Sequence, residues 1–235
     1  MWTKICGFTN SENAISVCRL GVSAIGLNFC AGSRRFINRD AAKRIACSVR
    51  ESLSDSSPEI IGVFVNSRSE DVAATVSELR LSAVQFHGDE PCSLISDFHR
   101  LHPETRIIRA VRVSEDNFNE TIRSLKELCS VVPVAACLLD AYSPSQFGGT
   151  GQTVSLELAQ RYLTDKSLPR LILAGGLTPD NLETVLAQFR PWGLDVASGV
   201  ESSPGFKDLS QVERFLGRCR GIASSESTLE QSFRL

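Results

Sequence analysis

Along the chain, short apolar runs rich in β-branched residues alternate with longer segments whose apolar positions recur every three or four residues. Runs of strand length lie at Thr3–Cys6, Ala24–Phe29, Ile60–Val65, Ala83–His87, Arg106–Val113, Val134–Asp140, Arg170–Ala174 and Leu194–Ala197. Helical period follows each of them, at Glu12–Leu20, Arg39–Leu53, Glu70–Leu79, Pro91–Leu101, Asn117–Val131, Ser155–Leu163, Pro179–Phe189 and Leu209–Arg220. Val72, Val76 and Leu79 form one apolar stripe, and Leu182, Val185 and Leu186 another. Start signals support several boundaries. Thr178 before Pro179 reads as an N-cap with proline at the first helical position, and Asp208 with Gln211 resembles a capping box. Ser69 reads as a cap with Glu70 and Asp71 in the first turn, where the macrodipole favours negative charge.

Eight strand-then-helix units in 235 residues predict parallel pairing, because each strand is followed by a crossover helix. Eight regular units close into a single α/β (β/α)8 TIM barrel, a fold that takes ~250 residues. A doubly wound open sheet is the competing arrangement, but no G-x-G-x-x-G follows the first strand. No linker or low-complexity run divides the chain. The expectation is one barrel domain over residues 1–221 and a polar, aperiodic tail over residues 222–235.

Composition narrows the class. With 42% hydrophobic and 22% charged residues the chain has the make-up of a globular protein with a real core. A formal net charge of −2 without a Lys/Arg block argues against nucleic acid or an anionic membrane as partner, yet leaves room for a locally positive site. The N-terminus has no apolar leader, and no window approaches the ~20 apolar residues of a membrane span, which points to the cytoplasm. The eight cysteines form no C-x-x-C pair and predict neither a disulfide framework nor a zinc site; most are expected as buried small hydrophobes. His99 and His102, at i and i+3, read as solvated residues at a helix end, so no metal is expected.

In a (β/α)8 barrel the active site is built at the C-terminal strand ends. Cys6 ends the first expected strand, His87 the fourth and Asp140 the sixth, while Gly175–Gly176 follow the seventh and Ser198–Gly199 the eighth. Small residues after strands seven and eight let backbone N–H groups approach a phosphate. Taken singly, each of these residues fits a structural role as well: Cys6 a core thiol, Asp140 a helix cap, the glycines tight turns.

Six segments carry a resemblance. KICGFTN (4–10), NFCAGSRRFI (28–37), VQFHGDE (84–90), LLDAYSPSQFGGTG (138–151), LAGGLTPDNL (173–182) and DVASGVESSPGFKD (195–208) resemble, in order, the motifs of the phosphoribosylanthranilate isomerase family, and the likeness spans residues 2–216. The second segment fits the family pattern N-F-x-x-x-S-x-R-x-[IV], which aligns Arg35 with the family's arginine. What the resemblance implies is an Amadori rearrangement of a phosphorylated aminoaldose in tryptophan biosynthesis, without a cofactor, by a monomer or homodimer. It makes Asp140 the general acid that opens the furanose ring and Cys6 the general base that removes the C2′ proton. A thiol suits the base if nearby positive charge draws its pKa of about 8.5 toward neutrality, and an aspartate acting as acid must be raised by desolvation or substrate charge. Arg35 would grip the anthranilate carboxylate in bidentate fashion, with Arg34 a surface residue, while His87 either helps shape the site or is a satisfied histidine at the barrel top. Gly149, Thr150 and Gly151 would belong to a lid over the substrate. Where the family often has a lysine followed by Phe-Asp-Trp after G-G-T-G, this chain reads Gln152-Thr153-Val154-Ser155-Leu156.

A histidine-pathway isomerase of related barrel fold uses two aspartates and shows duplicated halves; this chain has Cys6 and no clear internal repeat. The lysine set of indole-glycerol-phosphate synthase is not found, and a barrel that binds phosphate ligands without catalysis would not need Cys6 and Asp140 together. Strand alternation adds one expectation inside the barrel. If Cys6 points inward, so does Lys4, one layer deeper, and Asp195 on the adjoining eighth strand is its expected buried partner; the alternative has Lys4 bending out through the N-terminal mouth into solvent and Asp195 capping a nearby loop.

Overall fold

A computed structural model describes residues 1–141 and 155–232. Eight parallel strands close into a barrel in chain order, β1 pairing with both β2 and β8. They are β1 Trp2–Cys6, β2 Ala24–Asn28, β3 Glu59–Phe64, β4 Ala83–Phe86, β5 Arg106–Val113, β6 Val134–Ala141, β7 Arg170–Leu173 and β8 Gly193–Val196. The helices α1 Ser11–Cys18, α2 Arg39–Leu53, α3 Ser69–Leu79, α4 Cys92–Leu101, α5 Phe118–Cys129, α6 Leu156–Thr164, α7 Leu182–Gln188 and α8 Leu209–Ser232 follow the strands in turn. The α/β (β/α)8 barrel expected from the alternation is therefore the fold.

Alternation within the strands makes two cores. Ile5, Ile25, Leu27 and Val84 face outward and pack beneath the helices, while Ala24, Ile61, Ala83, Ile108, Ala136, Leu138 and Ile172 fill the barrel. Alanine recurs in that inner set, and small inward residues leave space for longer side chains in the same layers. At the N-terminal mouth Trp2 stacks on Trp192, ring centroids 5.1 Å apart, and closes the bottom of the inner core.

Several helix starts differ from expectation. Ser69 is the first helical residue of α3 and caps nothing; Arg68 precedes it and ties its side chain to Asp71 instead. α7 begins at Leu182, three residues later than Pro179, because Thr178 and Asn181 exchange bonds first. Thr178 Oγ1 accepts from the Asn181 N–H at 3.2 Å and Asn181 Oδ1 accepts from the Thr178 N–H at 2.9 Å, a reciprocal cap around a turn. Asp208 does cap α8, accepting from the N–H groups of Ser210 and Gln211. α8 itself runs to Ser232, into the stretch expected as an aperiodic tail; after Gly221 no glycine or proline interrupts it.

All eight cysteines are free, but only Cys6, Cys18, Cys137 and Cys219 are buried. Cys47 and Cys92 are exposed, on the outer face of α2 and at the first turn of α4, so the expectation of mostly buried thiols does not hold. His99 and His102 are half-buried rather than solvated, His102 stacking on Phe98. No group of metal-ligating side chains occurs among the described residues.

An unexpected element crosses the top of the barrel. After a 3-10 turn at Ser198–Val200, strands β9 Glu201–Ser203 and β10 Phe206–Lys207 form a small antiparallel hairpin, turned by Gly205 at φ 87°. Asn13 of α1 clasps it: its amide donates to Lys207 O, and its oxygen accepts from the Lys207 N–H, both at 2.8 Å. That clasp sets Lys207 over the end of β1.

Candidate active site

The end of β1 carries the first functional group. Cys6 is buried, and β1 pairs with β2 so that Cys6 stands beside Gly26. A Cβ at Gly26 would lie 2.6 Å from Cys6 Sγ and 3.1 Å from Lys4 Cε, so the missing side chain makes the room that both residues use. One layer below, Lys4 is fully buried and donates to Asp195 Oδ2 at 2.9 Å; in the β1–β8 register the two residues are direct partners. The buried ion pair expected from alternation and barrel closure is present. Burial alone would depress the Lys4 ammonium, but the Asp195 carboxylate and Cys6 outweigh it and raise its pKa. The thiol itself moves the other way from expectation. Burial pushes the Cys6 pKa up, and the pull of Lys4 and Lys207 toward the thiolate offsets only part of that.

A second charged cluster lies above Cys6. Arg35, in the loop after β2, is buried, and its guanidinium makes a side-on bidentate pair with Glu201: Nε to Oε1 at 2.8 Å, Nη2 to Oε2 at 2.6 Å. Gly7, at φ 86°, makes this possible, since a Cβ there would stand 2.4 Å from Arg35 Cδ. Ser33 Oγ accepts from the Arg35 N–H and from the Asn28 amide, which holds the loop to the end of β2. Arg34 beside it is exposed. Glu201 Oε1 also receives the Lys207 ammonium at 2.6 Å, and Lys207 Nζ donates to Cys6 O at 2.5 Å and Ala197 O at 3.3 Å. Burial pushes the Glu201 carboxyl up, but Arg35, Lys207 and the Gly205 N–H together hold it below the usual range. Burial drives Lys207 below the usual lysine range, with Glu201 offsetting part of the shift.

Across the barrel, Asp140 near the end of β6 is 4% exposed. His87, just past β4, lies between it and Gln85. Gln85 Nε2, which can only donate, is 2.8 Å from His87 Nδ1, so Nδ1 accepts and the ring proton sits on Nε2. That Nε2 is 3.4 Å from Asp140 Oδ2. The two groups stand within ion-pair distance, but His87 Nε2 makes no hydrogen bond.

Another stretch of the rim is made by the loops after β7 and β8. Gly175 and Gly176 both have positive φ, 83° and 58°. A Cβ at Gly199 would fall 1.8 Å from Leu177 O, so the two loops touch backbone to backbone and only glycine fits. Among the described residues the N–H groups of Gly175, Gly176 and Ser198 have no protein acceptor, which leaves a row of donors on the pocket wall.

One pocket brings together Cys6, Arg35, His87 and Asp140. Gly175, Gly176, Ser198 and Gly199 line it too, as does Asp195. Gly149, Thr150 and Gly151 lie outside the described residues. Sequence reasoning missed Gln85, Glu201 and Lys207. Gln85 was visible as the inward neighbour of His87 at i and i+2, but nothing local marked the other two as partners of Arg35 and Cys6.

Comparison with known proteins is consistent along the whole barrel. The family model described as N-(5′phosphoribosyl)anthranilate (PRA) isomerase matches residues 3–218. The N-(5′-phosphoribosyl)anthranilate isomerase of Geotalea uraniireducens is 39% identical over 219 residues, 93% of this chain and 98% of the relative. That of Crocosphaera subtropica is 35% identical, over 94% of this chain and all of the relative. Among solved structures, phosphoribosyl anthranilate isomerase from Thermotoga maritima superposes with a TM-score of 0.77 at 31% identity, over 94% of this chain and 99% of that one. A phosphoribosyl anthranilate isomerase in complex with reduced 1-(o-carboxyphenylamino)-1-deoxyribulose 5-phosphate matches with a TM-score of 0.75 at 30% identity, over the same shares.

Proposed function

The chain belongs to the N-(5′-phosphoribosyl)anthranilate isomerase family and is an isomerase of tryptophan biosynthesis, and we propose that Cys6 and Asp140 carry its proton transfers. It converts N-(5-phosphoribosyl)anthranilate into 1-(2-carboxyphenylamino)-1-deoxyribulose 5-phosphate, an Amadori rearrangement. The observation that carries the assignment is the meeting of Cys6 on β1 and Asp140 on β6 in one pocket.

Asp140 gives a proton to the furanose ring oxygen; the C1′–O bond breaks, and the nitrogen lone pair forms the Schiff base. The carboxylate that Asp140 becomes has the imidazole of His87 beside it, Nε2 3.4 Å from Oδ2, and Gln85 holds the other face of that ring at Nδ1. Cys6 then removes the C2′ proton, the electrons run into the C=N bond, and the resulting enolamine tautomerises to the ketone. Acid and base stand on strands from opposite parts of the barrel, which suits two proton transfers to different atoms of one sugar.

Two anionic handles orient that sugar. Arg35 spends its Nε edge on Glu201, so the substrate carboxylate meets the remaining Nη1/Nη2 edge, which still offers two donors. Gly175, Gly176, Ser198 and Gly199 hold the phosphate through backbone N–H groups, the common arrangement after strands seven and eight of such barrels. The ligand named for the related complex carries a carboxyl group and a phosphate, the two groups that these handles would take. No helix among the described residues is long and apolar enough to cross a membrane, and this reading has the enzyme working in the cytoplasm as a monomer or homodimer, residues 1–221 doing the chemistry.

The test is turnover of freshly prepared phosphoribosylanthranilate, followed by loss of its fluorescence. Cys6→Ser and Asp140→Asn should each lose at least ~100-fold in kcat with the fold retained. Near-wild-type turnover in either variant removes that residue from the mechanism.

A further inference from the structure

We propose that Lys4 is a positioning residue for the base: its buried ammonium steadies the Cys6 thiolate, and Asp195, by sharing that ammonium, sets how much of its charge the thiolate receives. The inference rests on Cys6 being the base. It is carried by geometry at the joint of β1, β2 and β8.

Lys4 and Cys6 are two apart on β1 and therefore face the same side, into the barrel. Gly26 on β2 keeps them together there. Its absent side chain leaves the space where Cys6 Sγ and Lys4 Cε converge, both within 3.1 Å of one point. The ammonium beyond that Cε donates to Asp195 Oδ2, and its charge favours the Cys6 thiolate beside it. Asp195 Oδ1 is buried without a hydrogen-bond partner, so its carboxylate is held from one side only, by the lysine it shares. The result is a buried group of three, carboxylate, ammonium and thiol, in which Cys6 and Asp195 both reach the pocket and the thiol is the one that would take a C2′ proton.

A base in this position has a conflict to resolve. A buried thiol resists ionisation, yet only the thiolate accepts a proton from carbon. Four charged groups face Cys6: Lys4 below it, Asp195 from β8, Lys207 over its carbonyl from β10, and Arg35 from the loop after β2. Asp140 and His87 line the pocket from β6 and β4. Of the cations, Lys207 and Arg35 are both engaged by Glu201, whereas Lys4 is the one whose influence on the thiol ranks highest after burial. Lys4 and Asp195 thus act on Cys6 with opposite signs, and this separates the proposal from a merely structural ion pair. A scaffold pair, when broken, loosens the barrel whichever partner is removed. A charge device answers in opposite directions.

The experiment reads Cys6 directly. The rate of alkylation by iodoacetamide is measured against pH and assigned to Cys6 by peptide mass spectrometry, in the full chain and in Lys4→Met and Asp195→Asn, beside the pH profile of kcat/KM. Lys4→Met should move the Cys6 titration up by roughly one pH unit or more, and Asp195→Asn should move it down, with the acid limb of kcat/KM following each shift. Should Lys4→Met fold poorly because it strands Asp195, the double variant Lys4→Met/Asp195→Asn removes both charges; its titration should fall between wild type and Lys4→Met. A Cys6 titration that stays put, or that moves the same way in both single variants, overturns the proposal. An alkylation profile that shifts as expected under an unmoved kcat/KM limb supports the Lys4 effect on the thiol but overturns Cys6 as the base.

Discussion

Replacing Glu201 by glutamine tests whether the cluster above the base is held by charge. The substitution keeps the size of the side chain and one acceptor, and takes away only the negative charge. Lys207 Nζ is 0% exposed and spends its three N–H groups on Cys6 O, Ala197 O and Glu201 Oε1, the last the one charged acceptor among them. With glutamine at 201 the ammonium keeps its hydrogen bonds but stands uncompensated, and Arg35 loses a bidentate carboxylate as well. Removing one partner of a buried pair costs ~3–5 kcal/mol, and for a domain of this size each kcal/mol moves Tm by ~2–4 °C, so a fall of roughly 6–20 °C is expected. The pH dependence has a definite sign. Burial already drives the Lys207 pKa below the usual lysine value, so the folded chain gives up that proton before the unfolded chain does. Such a lysine costs stability below its folded pKa, and the cost disappears as pH rises toward the unfolded value near 10.4. Loss of Glu201 lowers the folded pKa further, so the deficit of Glu201→Gln is largest near neutrality and narrows as pH approaches 10. Urea unfolding of both chains at about pH 7 and about pH 10 measures it. A deficit below ~1 kcal/mol, or one of equal size at both pH values, would refute the reasoning and show that the two carbonyls suffice for Lys207.

Two further predictions concern the anionic handles. Arg35→Lys keeps the charge but loses the planar fork that serves Glu201 on one edge and the substrate on another, so KM should rise at least ~10-fold with kcat less affected; an unchanged KM would take Arg35 out of carboxylate recognition. Gly199→Ala drives a methyl group onto Leu177 O, where a Cβ would sit at 1.8 Å, and must part the loops after β7 and β8. Competition by inorganic phosphate should weaken by ~10-fold or more while far-UV circular dichroism stays native, and phosphate inhibition as strong as in the wild-type chain would count against those loops as its site.

What the sequence made legible was whatever period and closure determine. Lys4 and Asp195 are 191 positions apart, yet inward alternation on the first and eighth strands and the closure of the barrel bring them side by side, and their bond follows from those two rules alone. The same reasoning collected Cys6, His87 and Asp140 at one mouth. Glu201 and Lys207 obey no such rule. They sit on a short hairpin after the last barrel strand, and its docking over β1 depends on Asn13 clasping the Lys207 backbone and on Thr9 donating to Gly205 O. Those contacts join loops and helix ends, where no repeating pattern announces a partner. The missed caps have a related cause. Ser69 and Thr178 both have a side chain suited to capping, but Arg68 pairing with Asp71 and Asn181 bonding back to Thr178 decide where each helix begins.

The charges gathered around Cys6 also explain how a chain of net charge −2 can hold a ligand with a carboxylate and a phosphate. Lys4 is matched by Asp195, but Glu201 alone faces both Arg35 and Lys207. Three cations against two anions leave the base of the pocket one negative charge short. Two groups can supply it: the thiolate form of Cys6, or a carboxylate at the free edge of Arg35. Binding the substrate carboxylate at Arg35 therefore competes with ionisation of Cys6 for the same surplus charge, unless the carboxylate is kept far enough from the thiol to be screened. Glu201 occupies the Nε edge of Arg35 and also takes the Lys207 ammonium, so the edge left for a ligand is the one that Glu201 does not share. Glu201 then does more than neutralise two cations. By holding Arg35 side-on it leaves one positive edge free, and under the proposed assignment that edge would serve the ligand while Lys4 and Lys207 act chiefly on the base.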